Sequence, residues 1–469
     1  MLALVVIAGL LAPEPSAPGP TEDPEDSTPV RSVYVETPTD APGRATSRVT
    51  RQEMEEKLPR SAPDALRGEP GVYVQQTAHA QGSPYLRGLT GQQTVMFFDG
   101  VRLNNSTFRQ GPNQYFFTID SRTVESLEVV RGSASTRYGS DALGGALLSE
   151  PVGPNFDGVG KWRVHPRVMV RTGTADAEVG GRGQVSVAYG DKLGVILGAG
   201  YRDVGYLRAG GRIVSPQTGR PQGVPPAFDA DERTQLGTGF EEVTADTRIV
   251  WRPRAATRVS VGYYDYRQLN APRTDKCPAP GAPADACLRY LEQFRTLVYA
   301  KLEHYGAHAA AEQITSTLSF QNQHERRQSE AGGPARTQNN GDDDVRSIGT
   351  SLKIATHDFE LAPWAGLQWH YGTDAYFDVI DSQAWQFFTD TQTRGGELRG
   401  QYLDGGRYLT SGVWTEGVAT FADAVAVRGG GRFAVADAWA EGDEASDSAA
   451  IDRTWATGVG SGGVRVQAV

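Results

Sequence analysis

The stretch QVSVAYGDKLGVILGAGYR, Gln184 to Arg202, decides the architecture of most of the chain. Val185, Val187 and Tyr189 alternate with Gln184, Ser186 and Ala188. After the short YGDKLG turn, Leu193, Val195, Leu197, Ala199 and Tyr201 alternate with Gly194, Gly198, Gly200 and Arg202. A period of two belongs to an extended strand, whose successive side chains leave opposite faces, so each segment has one apolar face and one small or polar face. The pattern returns in Ile314, Ser316, Leu318 and Phe320, in Ile348, Thr350, Leu352 and Ile354, and in Ala365, Leu367, Trp369 and Tyr371. About twelve such segments of about ten residues follow Pro151, and that length lets a tilted strand cross an outer-membrane hydrocarbon layer.

The connections separate a membrane barrel from a soluble β-protein. YGDKLG, WRPRAATR, HYGAHAA and the Thr356 to Leu361 turn are short, and they alternate with long polar stretches at 205–241, 268–290, 322–345 and 374–407. Short turns on one rim and long loops on the other are the barrel pattern, whereas a sandwich or propeller gives no reason for strict alternation. The mean hydropathy of -0.43 agrees, because half of each strand faces a wet lumen.

Composition narrows the function. With 56 Gly, 27 Pro and 18 Tyr against 4 Met in 469 residues, strands and turns dominate. A net charge of -10 provides no basic stripe to replace the counterions of a nucleic acid, which excludes that partner class. Cys277 and Cys287 bracket the loop segment CPAPGAPADAC. Their spacing predicts a disulfide and an oxidising compartment, the alternative being two free thiols. Residues 1–17 open with MLALVVIAGLLA, too short to span a bilayer as a helix and similar to a signal-peptide core. Residues 18–49 are Pro-rich and acidic and read as a flexible linker.

Residues 50–150 switch to a compact α/β alternation, ahead of the strand region 151–469. Thr50 and Ser61 stand as N-caps of two short helices, with Gly68 as a stop. Strands follow in GVYVQQ, QTVMFFDGVRL and VESLEVVRG, and Asp99-Gly100 is a hairpin-turn dipeptide. GSDALGG, Gly139 to Gly145, imitates the start of a phosphate loop, but Gly145 and Ala146 occupy the positions where the phosphate-binding Lys and metal-binding Ser or Thr are required. No GxGxxG, GxSxG, HExxH or CxxC pattern supports an enzyme, so the expectation is no catalytic residue, no cofactor and no bound metal. These glycines instead predict close backbone packing. In NNGDDDV, Asp342, Asp343 and Asp344 lack the spacing of a calcium loop and read as a solvated acidic loop.

PYLRGLTGQQTVMFFDGVRLNN followed by TIDSRTVESLEVVRGSASTRYGSDALGGALL resembles the plug domain of TonB-dependent outer-membrane receptors over about residues 32–148. The resemblance implies a mostly β fold, with an N-terminal α/β plug inside a transmembrane antiparallel barrel. It implies energised uptake of an iron–siderophore, haem or cobalamin into the periplasm, with the TonB complex and outer-membrane lipid as partners. The alternative is a barrel-anchored binding or adhesion protein without transport.

Residue by residue, Ser32, Val33, Tyr34, Val35, Glu36 and Thr37 stand where the family carries its TonB box. Arg87 and Arg131 match arginines that pair with barrel glutamates and lock the plug. Gly88, Asp99, Gly100, Arg102, Gly132, Tyr138, Gly139, Gly144 and Gly145 complete the plug motifs, the last glycines letting the chain pass close to the barrel wall. The outward plug loops would meet ligand through His79, Gln81, Asn105, Phe108, Arg109, Asn113 and Tyr115, with His79 as a candidate haem ligand. The family's barrels have about 22 strands. About twelve are legible here, so the chain is expected to be a fragment of a longer, monomeric receptor, with a dimerising half-barrel as the alternative.

Overall fold

A computed structural model describes residues 3–8, 44–107, 115–132, 134–156, 158, 160–220, 226–277, 286–331, 337–422, 424–442 and 448–466. Among them, the first strands in chain order are β1 (Ala3–Ala8), β2 (Ala45–Thr50), β3 (Val72–Ala78), β4 (Gln81–Leu86), β5 (Thr94–Phe98), β6 (Val101–Arg102), β7 (Val124–Arg131) and β8 (Gly145–Pro151), with short helices α1 (Arg51–Lys57), α2 (Ala62–Ala65) and α3 (Ser135–Tyr138). The wall follows as β9 (Trp162–Gly173), β10 (Glu178–Tyr189), β11 (Leu193–Val204), β12 (Phe240–Arg254), β13 (Thr257–Pro272), β14 (Ala286–His308), β15 (Ala311–Ala331), β16 (Thr337–Ala355), β17 (Phe359–Ala362), β18 (Ala365–Phe388), β19 (Thr393–Arg399), β20 (Arg407–Phe421), β21 (Val425–Ala440) and β22 (Ile451–Val466).

From β9 to β22 each wall strand pairs antiparallel with the next along one continuous sheet, while β17 and β19 pair with β18 off that path. Its faces are inverted relative to a soluble protein. Leu197, Tyr201, Leu318, Phe320, Ile348, Val413 and Phe433 are exposed on the outside. Ser186, Thr244, Arg248, Ser260, Arg295, Gln321 and Glu416 are buried on the inside. Exposed apolar area on this scale needs lipid to cover it.

The expectations for the long loops and for the linker need correction. The stretches 322–345 and 374–407 are mostly strand rather than loop, and strand enters 268–290 at both ends, because β14, β15 and β18 run for 23, 21 and 24 residues. A strand needs only about ten residues to cross the apolar layer. Beyond it both faces are polar, so the alternation fades while the hydrogen-bond ladder continues. Asp342, Asp343 and Asp344 accordingly lie within β16. The linker expected over 18–49 gives way at Ala45, where β2 joins the plug sheet beside β7. Ala3–Ala8, within the signal-peptide-like segment, pairs with Val168–Gly173 of β9, as an apolar β-prone run does beside an open sheet edge.

The plug sheet has the order β2-β7-β8-β5-β6, with β5 and β8 parallel, and β3-β4 forms a separate hairpin. Thr50 caps α1 in a reciprocal box: its backbone N–H donates to Glu53 at 2.7 Å and its Oγ1 accepts from the Glu53 N–H at 3.3 Å. Ser61 caps α2, and Gly68 follows at φ 90°. The plug core of Met96, Phe98, Leu103, Phe116, Leu127 and Leu147 is completed by Tyr264, Tyr266, Leu297 and Tyr299 of the wall. The plug therefore buries its apolar face on the barrel lining.

Gly144 and Gly145 do pack backbone against backbone, but inside the plug rather than against the wall. A Cβ on Gly145 would lie 2.0 Å from the Val130 carbonyl oxygen of β7, and one on Gly144 would lie 2.9 Å from the Leu86 oxygen. Gly145 also has φ 143°. Gly145→Ala is expected to destabilise the plug by about 2–3 kcal/mol through strain and overpacking. Amide exchange in β7 and β8 will read this as lost protection.

Candidate functional site

The chemistry concentrates where plug and wall meet. Asp99 and Gly100 turn β5 into β6 with φ of 48° and 83°, the doubly positive pair of a tight hairpin. This turn delivers the Asp99 carboxylate, fully buried, to three wall residues. Arg248 lies at 2.7 Å, Lys301 donates at 3.0 Å and the Tyr299 hydroxyl donates at 2.6 Å. Burial alone would raise this carboxyl, but the two cations hold it well below the usual carboxylate range. Glu150, buried beside the same cluster, is pushed up by that burial.

A second knot lies at Asp120 to Thr123. The Asp120 N–H donates to the Tyr264 hydroxyl at 2.8 Å, and that hydroxyl donates to the Thr118 carbonyl at 2.9 Å. Arg122 bridges Asp120 at 2.9 Å and Glu242 of the wall at 3.2 Å. Burial opposes the Asp120 charge, yet Arg122 and then Arg182 lower its carboxyl to about 2.

The third contact stands where the N-terminal segment enters the plug. Arg44 donates twice to Glu416 of β20, at 3.1 and 2.5 Å, and Arg428 of β21 donates to the same carboxylate at 2.9 Å. Arg44, Glu416 and Arg428 are all buried. Beside the plug sheet lies a cavity of about 650 Å³, lined by Arg48, Glu128, Arg137, Lys353, His370 and Trp414 among others.

Among the described residues, neither Arg87 nor Arg131 is paired with a wall glutamate. Arg131 pairs at 3.6 Å with Glu69, inside the plug, and it also donates to Ser47. Arg87, at φ 51°, is exposed. Glycines explain the geometry: the Arg87 guanidinium lies 2.8 Å from a Cβ position on Gly132, and both arginines flank Gly71, so the two side chains fold back over the plug. Of the other motif residues, Arg102 pairs with Asp141, Tyr138 packs on Phe97 at 5.7 Å, and Gly88 and Gly139 hold positive φ.

The His79 side chain does not project into open solvent. Its imidazole is buried, 3.4 Å from Asp176, and lies edge-on to Phe240. Gln81 donates to Gln293 at 2.7 Å, Asn105 donates to Gln323 at 3.2 Å, and Tyr115 donates to Glu325. These apex groups thus contact the wall. Phe108, Arg109 and Asn113, and the segment Ser32, Val33, Tyr34, Val35, Glu36 and Thr37, lie outside the described residues. Cys277 and Cys287 are joined by a disulfide that closes a loop after β13.

Sequence reading missed Arg44, Asp120, Arg122 and all their wall partners. A signal was present: Glu242, Arg248 and Lys301 occupy the inward parity of strands whose outward positions are Val243, Ile249, Val298 and Leu302.

Residues 37–146 match the model of the TonB-dependent receptor plug domain. Over 100 residues the chain is 34% identical to the vitamin B12 transporter BtuB of Photobacterium profundum, which is 21% of this chain and 16% of that protein. Its fold resembles the copper transporter OprC with a TM-score of 0.67 at 13% identity, covering 89% of this chain and 60% of that one. The FrpB iron transporter from Neisseria meningitidis gives 0.66 at 15% identity, covering 91% and 62%. The chain thus spans about three-fifths of those two structures. Residues 37–146 thus match the TonB-dependent receptor plug domain, and the sheet after them shares the fold of those transporter structures.

Proposed function

We propose that the chain takes up a large, scarce ligand across the outer membrane, and that the TonB complex energises uptake by pulling on Ser32 to Thr37 from the periplasm. The observation that carries this reading is the Arg44–Glu416–Arg428 contact, placed where the N-terminal segment becomes edge strand β2. Tension along the chain reaches this contact before the plug body. Buried ion pairs suit such a gate, because separating one partner leaves uncompensated charge and the contact yields all at once. Among the ligand classes, cobalamin is the first to test, since the sequence relative is named a vitamin B12 transporter. Ferric siderophore and haem follow.

Deletion of Ser32 to Pro38 tests the reading. Cells carrying the variant are expected to bind cyanocobalamin, a ferric siderophore or haemin as the parent does and to lose its uptake. Unimpaired uptake would refute energised transport. Binding with no uptake in either protein would instead identify a barrel-anchored binding protein.

A further inference from the structure

Outside the lumen, three wall strands bring an imidazole and three carboxylates together. His324 of β15 is the cross-strand partner of Asp344 in β16. Its Nδ1 lies 3.1 Å from Asp344 Oδ2 and 3.5 Å from Asp342 Oδ1, and its Nε2 lies 3.2 Å from Glu292 of β14. One donor atom each from His324, Asp342 and Asp344 lies within 4.8 Å of the other two. A neutral imidazole has one N–H and cannot satisfy carboxylates at both nitrogens. Donation from Nε2 to Glu292 turns Nδ1 toward two anionic oxygens, so a cation, the imidazolium's own second proton or a metal ion, must stand between them; Arg326, the cross-strand partner of Asp342, lies 3.5 Å from Glu292. A carboxylate behind the far nitrogen is also how metal-bound histidines are oriented. The spacing fits: tetrahedral bonds of about 2.0–2.1 Å place neighbouring ligand atoms about 3.3 Å apart.

The position is equally specific. Leu318 and Phe320 of β15 and Ile348 of β16 are exposed on the outer face, and His324, Asp342 and Asp344 share their parity. His324 stands four residues beyond Phe320, about 13 Å at the usual strand rise, toward the connection 332–336 and past the apolar band. Phe294 packs on the imidazole at 5.3 Å, and Asn322 donates to the other oxygen of Asp344 at 2.9 Å. Asp343, of opposite parity, is buried inside with Ser382 and Arg327.

We propose that His324, Asp342 and Asp344 bind a zinc-class divalent cation on the outer face of the barrel, with Glu292 orienting the imidazole. One nitrogen and two oxygens suit a first-row ion better than calcium, which takes six to eight oxygens. A fourth position remains for water. Nothing in this proposal depends on the uptake reading.

The test is calorimetric titration of zinc chloride into the full chain, tag-free, in detergent micelles. One equivalent is expected to bind, and cobalt is expected to give the visible absorption of a tetrahedral site. His324→Ala and Asp344→Asn should each weaken zinc at least tenfold, Glu292→Gln by about tenfold, and His357→Ala, on the opposite rim, not at all. Zinc affinity unchanged in both His324→Ala and Asp344→Asn, no saturable zinc binding to the parent, or calcium bound as tightly as zinc would overturn the proposal.

Discussion

Asp99→Ala is expected to loosen the plug from the wall by about 3–5 kcal/mol, the usual penalty for stranding a buried charge. Arg248 and Lys301 would be left buried without their shared carboxylate, and Tyr299 would lose an acceptor. Limited proteolysis and amide exchange of the plug inside an intact barrel measure the loss. Removing the cations as well, as Asp99→Leu with Arg248→Leu and Lys301→Leu, is expected to recover much of it, because the penalty lies in the unpaired charge. The sign of the pH effect follows from the lowered carboxyl. A depressed folded value stabilises fully above the ordinary aspartate pKa of about 4 and loses that contribution as pH falls through the folded value. The difference between the parent and Asp99→Asn should thus be constant from pH 7 to about 5 and shrink only below about 4.

Glu416→Ala should have a comparable effect on a different part of the plug. It strands Arg44 and Arg428, both buried, and releases the start of β2. A local loss of about 3 kcal/mol raises the open population roughly a hundredfold, so trypsin should cleave after Arg44 and Arg48 about that much faster while β7 and β8 stay protected. Pulled from the N-terminus in a single-molecule experiment, the variant should lose the first rupture event. Glu416→Gln, which can still accept hydrogen bonds, should fall between. Unchanged cleavage in Glu416→Ala would remove the clamp from the account of gating.

Most of the wall is legible in sequence because lipid on one side and a polar lumen on the other impose a period of two, as in Val185 to Tyr201. The upper halves of β14, β15 and β18 are not legible, since water on both faces removes that contrast. The plug is legible from its turns: Asp99-Gly100 marks a hairpin from two residues alone. What those two residues touch is invisible locally, because Arg248 and Lys301 come from strands about 150 and 200 positions later in the chain. Arg131 shows the converse. Its motif suggests a partner in the wall, but Glu69 is nearer, and the glycines at 71 and 132 let Arg87 and Arg131 fold back onto the plug.

The central claim is that the plug sits inside the wall, and Thr136 and Ser461 test it most directly. The Thr136 hydroxyl of α3 and the Ser461 hydroxyl of β22 lie 2.7 Å apart, and Cys277 and Cys287 are already paired. With Thr136→Cys and Ser461→Cys combined, mild oxidation of outer membranes should yield a tryptic peptide pair joined through positions 136 and 461, seen by mass spectrometry. A pair of free thiols after oxidation, in protein that remains inserted in the membrane, would contradict the account.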